Sequence, residues 1–141
     1  MAGRILGIDL GTKRIGLALS DPTGTIATPL GKISFKDEPK FLAEIEKIVK
    51  EKEISEIVVG YPLRAKGEKG PEAVRAEQLA EKLKAGLGLP VHLCDERLTT
   101  WEAEQALRES DLSREQRKEV RDQVAAALIL KSFLEQRRSK Q

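Results

Sequence analysis

Acidic residues that could bind a metal ion lie at three points along the chain, each next to an apolar segment. Asp9 follows a short apolar run, the pair Asp95 and Glu96 follows another, and Asp122 comes just before the apolar stretch 124–128. Acids at the ends of strands in an α/β sheet face the crevice in which ligands usually bind. Carboxylates that converge there repel one another unless a cation joins them, so the set predicts a cation site.

Carboxylate ligands favour Mg²⁺ or Mn²⁺, which prefer oxygen donors and keep part of their water shell. Paired ions about 3.5–4 Å apart can activate a water molecule and stabilise the leaving oxygen when a phosphodiester is cleaved. Each acid taken singly also has a structural interpretation, because a strand-end aspartate often caps a turn and a helical aspartate is usually solvated. The conjunction of the three sites favours a metal-dependent hydrolase.

The composition limits the class of protein. The chain has 141 residues, with 25 basic and 23 acidic side chains and a net charge of +2, which does not by itself indicate a nucleic-acid partner. The length predicts one domain over residues 1–141. A transmembrane helix needs about 20 apolar residues, and no run approaches that length, so we expect no membrane association. The single Cys94 and the lack of a signal-peptide pattern predict a cytoplasmic protein.

The elements that must position the acids follow from apolar periodicity, turn signals and helix caps. Strands are predicted over residues 4–8, 14–20, 25–35, 56–60 and 91–94. Helices are predicted over residues 37–53, 71–86, 99–108 and 113–137. The connections between the first three strands are too short for parallel crossovers, which predicts an antiparallel meander. The later alternation of helices and strands predicts an α/β fold with a mixed five-stranded sheet and helices on both faces.

Four segments carry a resemblance to a known family. They begin at Gly7 (GIDLGTKRIG), Val58 (VVGYPL), Asp95 (DERLTT) and Asp122 (DQVAA). In this order and over nearly the whole chain, they resemble the YqgF family, also called RuvX-like or Holliday-junction-resolvase-like proteins. The third motif is distinctive, and the combination of all four is specific.

The resemblance implies a ribonuclease-H-like fold and a metal-dependent nuclease of the cytoplasm. It implies a role in maturing the 5′ end of pre-16S ribosomal RNA, with Holliday-junction resolution as the older proposal. The active-site acids of the family fall on Asp9, Glu96 and Asp122. In this interpretation the three acids hold Mg²⁺ or Mn²⁺, and Asp95 assists Glu96 or caps the following turn. Pre-rRNA and pre-ribosomal particles become the expected partners, for a monomer or a homodimer.

Basic residues near the motifs are candidates for contacts with a nucleic-acid backbone: Lys13, Arg14, Arg64, Lys66, Arg97 and Arg121. The turn at Gly11 could offer backbone N–H groups to a phosphate, or the glycine could simply permit a tight hairpin. The loop 64–70 could clamp a strand or be an ordinary solvated loop. Relatives commonly have Asn-Met-Asp-Gly after the position of Leu63, where this chain has Arg-Ala-Lys-Gly, so substrate preference is the property most open to change.

Two other functions compete with the nuclease. A nucleic-acid-binding or ribosome-associated module would need no catalytic acids, and their presence argues against it. An ATPase of the sugar-kinase or actin type is suggested by the segment 9–12, which resembles the first phosphate motif of those proteins. Such proteins build a nucleotide cleft from two domains, and this chain has room for one.

Overall fold

The computed structural model describes residues 3–11, 14–35, 37–64, 66–95 and 114–139, and in the last of these ranges it describes the side chains of residues 124–138. The strands are β1 (Arg4–Leu10), β2 (Arg14–Ser20), β3 (Ala27–Ser34), β4 (Ile54–Tyr61) and β5 (Val91–Asp95). The helices are α1 (Glu38–Glu51), α2 (Pro71–Leu87) and α3 (Arg114–Ser139). None of these helices is both long and apolar enough to cross a bilayer.

The five strands form one mixed sheet in the order β3-β2-β1-β4-β5. β2 is antiparallel to both β1 and β3, whereas β4 is parallel to both β1 and β5. This arrangement confirms the predicted antiparallel meander and the predicted mixed five-stranded sheet. The first strand of the chain therefore lies at the centre of the sheet, hydrogen-bonded on both sides.

Two apolar clusters cover the two faces of the sheet, as the alternation of side chains along each strand requires. On one face, Leu6 and Ile8 of β1 pack with α1 and α2 around Phe41 and Leu83. On the other face, the buried side chains of α3 cover Ile5, Ala18, Val58 and Cys94. Helices therefore pack on both faces, as predicted.

Several element boundaries differ from the prediction. β1 continues two residues beyond Ile8, because Asp9 and Leu10 still pair with β2. α1 ends at Glu51 and not at Glu53, because Glu53 takes a left-handed conformation with φ 55°. β4 then starts at Ile54, which pairs with Arg4 of β1. β3 covers 27–34, shorter than predicted at both ends. The predicted short helix 99–108 lies outside the described residues.

An ionic cluster joins α3 to the sheet near the beginning of β4. Arg137 donates two hydrogen bonds of 2.7 Å to the two carboxylate oxygens of Glu56, and His92 Nε2 lies 3.1 Å from Glu56 Oε1. The Arg137 guanidinium also lies 4.6 Å from the centroid of Phe133. Hydrogen bonds from Arg137, outweighing partial burial, hold the pKa of Glu56 below its ordinary value. The cluster holds the last turns of α3 against the sheet. His92 is part of it, so its role is structural.

Candidate functional site

The carboxyl ends of β1, β4 and β5 lie at one edge of the sheet, because these three strands are parallel. Asp9 lies near the end of β1, and Asp95 is the last residue of β5. Arg14 begins β2 at the same edge, since β2 is antiparallel to β1. The sheet thus brings the backbones of Asp9, Asp95 and Arg14 to a single edge.

Asp9 occupies the centre of that edge, and its side chain faces α3. Its neighbour two residues back, Gly7, lies under α3, and alternate residues of a strand share one face. Asp9 pairs with Gly16 of β2. On its other side Ile8 pairs with Val59 of β4, so the next residue of β4, Gly60, lies beside Asp9. The two strand positions directly beside the half-buried Asp9 are thus both glycines.

α3 runs antiparallel to β1 and brings the turn of Asp122 toward Asp9. Leu134 lies near Gly24, beyond the start of β1, and Ala126 lies over Gly7. From Gly7 to Asp9 the strand advances about 6.6 Å, and from Ala126 back to Asp122 the helix advances about 6 Å. The backbone of Asp122 therefore lies one helical turn beyond Ala126, on the same side on which Asp9 lies beyond Gly7.

Asp95 lies on the opposite face of the sheet from Asp9. Val91 packs with the α1 and α2 cluster, whereas Cys94 packs under α3, with its Sγ 3.8 Å from the Ile129 carbonyl oxygen. The alternation of side chains along β5 then assigns Asp95 to the α1 and α2 face. Of the adjacent acids, Asp95 is thus directed away from Asp9.

The structure describes the remaining predicted site residues to different extents. Arg64 and Lys66 are exposed in the loop after β4, where the Gly67 N–H donates to the Arg64 carbonyl oxygen at 2.7 Å. Lys13, Glu96 and Arg97 lie outside the described residues, and Asp122 and Arg121 are described by their backbone alone. Among the described side chains, no three potential metal ligands form a group.

Two residues of α2 that were not singled out in the sequence contact the loops at this edge. Arg75 Nη1 donates to the carbonyl oxygen of Gly11 at 2.7 Å, directly after β1. Glu77 Oε2 accepts from Tyr61 Oη at 2.8 Å and from Lys69 Nζ at 2.9 Å, directly after β4. Both residues occupy ordinary polar positions of an amphipathic helix. Only the packing of α2 on the sheet reveals their contacts.

The Tyr61, Lys69 and Glu77 contacts also shift the titration of these groups. Hydrogen bonds from Lys69 and then Tyr61 hold the pKa of Glu77 below its ordinary value. Hydrogen bonding to Glu77 raises the pKa of Lys69. Desolvation, and then the hydrogen bond to Glu77, raises the pKa of Tyr61. Lys69 is therefore engaged in holding the loop through Glu77, and Arg64 and Lys66 are exposed in the same loop.

This sheet order, a meander extended by two parallel strands with helices on both faces, is that of the ribonuclease-H-like fold. The structure is similar to T. thermophilus RuvC in complex with Holliday junction substrate, with TM-score 0.57 and 14% identity over 96% of both chains. It is also similar to the Fowlpox virus resolvase bound to its substrate Holliday junction DNA, with TM-score 0.57 and 10% identity over 94% of this chain and 97% of that one. These likenesses concern the fold.

The chain belongs to the family described as "RuvX: Holliday junction resolvase", which matches residues 3–136. A protein of Pelotomaculum thermopropionicum, "Putative pre-16S rRNA nuclease", is 50% identical over 133 residues, or 94% of this chain and 86% of the relative. A protein of Lachnospira eligens with the same name is 47% identical over 135 residues, or 94% of this chain and 96% of the relative. The resemblance seen in the four motifs is confirmed, and the protein is a member of a nuclease family.

Proposed function

We propose that this chain hydrolyses phosphodiester bonds at the carboxyl edge of its sheet and acts in maturing the 5′ end of pre-16S rRNA. The proposed acids are Asp9, Glu96 and Asp122, with Mg²⁺ or Mn²⁺ as the ion. The observation that carries the proposal is the location of Asp9, near the end of the central strand and toward the turn of α3 that contains Asp122. The names of the relatives support the ribosomal substrate.

The surroundings of Asp9 fit a hard divalent cation. The acids assigned to the site offer only oxygen donors, which Mg²⁺ and Mn²⁺ prefer. The nearest soft donor, Cys94, is buried under α3, and His92 is paired with Glu56. The positions directly opposite Asp9 in the two adjoining strands are glycines, Gly16 and Gly60, which add no bulk beside its carboxylate. When bound, the ions would supply an activated water and neutralise charge on the leaving oxygen.

The acid following Asp95 is the better candidate for the third ligand. Asp95 lies on the face of the sheet that packs against α1 and α2, whereas Asp9 faces α3. The alternation of side chains along β5 therefore directs Asp95 away from an ion held by Asp9. This favours Glu96 over Asp95, in agreement with the motif of the family.

The basic residues at this edge would hold the nucleic acid without reading its sequence, because contacts to phosphates position a strand and carry no base information. Arg14, Arg64 and Lys66 are exposed there. Lys13, Arg97 and Arg121 complete the proposed set. The proposal describes a cytoplasmic, single-domain protein that acts on pre-ribosomal particles as a monomer or a homodimer.

The second candidate function is Holliday-junction resolution, which the description of the matched family favours. The two functions differ in substrate and in stoichiometry. A resolvase makes two symmetric cuts and needs two active sites, whereas processing of an RNA end needs one. Cleavage of a four-way DNA junction in preference to pre-16S rRNA would select the second function.

The test is cleavage of a pre-16S rRNA fragment with its 5′ leader, and of a four-way DNA junction, with Mg²⁺, with Mn²⁺ or with a chelator. We expect metal-dependent cleavage of the RNA that falls by at least about a hundredfold in Asp9→Asn, Glu96→Gln and Asp122→Asn. Asp95→Asn is the matched control and should retain activity, because Asp95 faces the other layer. Full activity in Asp9→Asn would contradict the proposed site.

A further inference from the structure

Arg75 makes two contacts that no proposed catalytic role explains. Its Nη1 donates to the carbonyl oxygen of Gly11 at 2.7 Å, although the two residues are 64 positions apart in the chain. Its Cζ lies 5.0 Å from the ring centroid of Phe35, at the end of β3. One guanidinium therefore ties α2 to the residue that follows β1 and to the residue that follows β3.

The hydrogen bond fixes a peptide unit two residues after Asp9. The Gly11 N–H donates to the Arg14 carbonyl oxygen at 2.9 Å, and its carbonyl oxygen accepts from Arg75. A Cβ on Gly11 would lie 2.4 Å from the Arg14 carbonyl oxygen, so the hairpin closes too tightly for any side chain there. Both polar backbone atoms of Gly11 are thus hydrogen-bonded, and one of the two partners comes from α2.

The aromatic ring behind this contact packs on the core. The Phe35 ring packs edge-on against Phe41, with centroids 5.1 Å apart, and Phe41 is 1% exposed in the core. Arg75 is half-buried between this aromatic pair and the Gly11 carbonyl. A hydrogen bond with a charged donor is stronger than a neutral one, and stacking on Phe35 limits the orientations of the guanidinium. The turn after Asp9 is therefore braced against the core.

The location of Arg75 also separates it from the reacting groups. α2 packs on the face of the sheet opposite to the one that Asp9 faces. Arg75 consequently reaches the site through the backbone of Gly11. We infer that Arg75 is a positioning residue of the nuclease, which holds the end of β1 and thereby the carboxylate of Asp9 in the orientation that catalysis requires. This inference rests on the proposed function.

The test compares Arg75→Ala and Arg75→Lys with the control Lys82→Ala, which removes one positive charge from α2 where Lys82 pairs with Glu38. Displacing a catalytic group by about 1 Å can cost about a hundredfold in rate, so we expect kcat to fall tenfold to a hundredfold in Arg75→Ala. KM should change less than about threefold, because the contact with substrate is not lost. Arg75→Lys should recover most of the rate, since its ammonium can still donate to the Gly11 carbonyl oxygen.

A second readout is independent of activity. Amide hydrogen exchange in peptides that cover residues 9–16 should become faster in Arg75→Ala, recover in Arg75→Lys and stay unchanged in Lys82→Ala. A raised KM with unchanged kcat would overturn the inference and indicate direct contact with phosphate. Unchanged exchange would also overturn it. If Arg75→Ala does not fold, Arg75→Met, which has no hydrogen-bond donor, replaces it in the comparison with Arg75→Lys.

The two proposals fail in different ways. A wild-type chain that cleaves neither RNA nor DNA would contradict the proposed function. Faster exchange in Arg75→Ala would still support the bracing of the turn in that case, whereas equal exchange would reject it.

Discussion

Gly7 of β1 lies directly beneath Ala126 of α3, and a Cβ on Gly7 would be 3.2 Å from the Ala126 carbonyl oxygen and 3.0 Å from Leu130 Cβ. Helix and strand approach this closely only because residue 7 has no side chain. Asp9 lies two residues further along the strand, and Asp122 lies one turn back along the helix. The contact therefore sets the separation between the two elements that carry these acids.

The first prediction concerns this contact. Gly7→Ala should force α3 away from β1 and lower the free energy of unfolding by about 1–3 kcal/mol. Its cleavage rate should fall even where the variant is fully folded, because the helix carrying Asp122 has moved. Gly86→Ala is the control, since its added Cβ meets nothing within 4 Å and should stabilise α2 by about 0.5–1 kcal/mol. Chemical denaturation and cleavage assays measure both effects, and an unchanged Gly7→Ala would refute this account.

The second prediction concerns metal binding without catalysis. A ligand that binds only the folded state raises its stability, by about 2.7 kcal/mol at a hundred times its Kd. We expect Mg²⁺ or Mn²⁺ to raise the Tm of the wild type by several degrees and a chelator to reverse the rise. Asp9→Asn should lose the shift, whereas Asp95→Asn should keep it. An equal shift in Asp9→Asn would assign the ion to another site.

The third prediction concerns the exposed cations after β4. Replacing Arg64 and Lys66 by alanine should weaken binding to RNA and reduce the salt dependence, by about 0.7–0.9 in the log–log slope for each lost phosphate contact. The charge-matched control replaces Lys47 and Lys50, exposed residues of α1 that pair with Glu51 and Glu46 of the same helix. Binding measured over a salt series distinguishes the two pairs. Equal losses would indicate a general effect of net charge.

The fourth prediction concerns stability at low pH. The pKa of Glu56 is held below its ordinary value by Arg137, so its contribution is complete above pH 4.5 and is lost as the pH falls through the lowered pKa. Glu56→Gln should reduce the free energy of unfolding by about 1–3 kcal/mol at pH 7, because Arg137 loses a charged partner. The difference between wild type and variant should shrink below pH 4.5. Urea denaturation at several pH values measures it, and a constant difference would contradict the assignment.

Most of the fold could be predicted from the sequence, because the apolar strands and amphipathic helices have the periodicity that burial requires. The boundaries were less accurate where tertiary pairing decides them. Asp9 and Leu10 remain in β1 because β2 pairs with them, and α1 ends early because Glu53 adopts a left-handed turn. Neither effect is visible in local periodicity.

The candidate site was predictable to the extent that strand order brings Asp9 and Asp95 to one edge. The sequence could not predict toward which face of the sheet each acid points. That assignment required the packing of Val91 against α1 and α2 and of Cys94 against α3. Arg75 and Glu77 were missed because their contacts cross between elements. A helix position gives no sign of which loop its side chain will reach until the helix is packed.

The central location of β1 has a consequence for how the chain folds. Leu6 pairs with Leu19 on one side and with Ile57 on the other, so the antiparallel hairpin closes a short loop and the parallel pair closes a much longer one. Closing a longer loop costs more chain entropy before any contact offsets it, and non-local strand pairing is correspondingly slow. We expect the three-stranded meander to form early and β4 to join it later. The edge that holds Asp9 would then be completed only in the late steps of folding, so that a nascent chain carries no assembled site until most of its sequence has been synthesised.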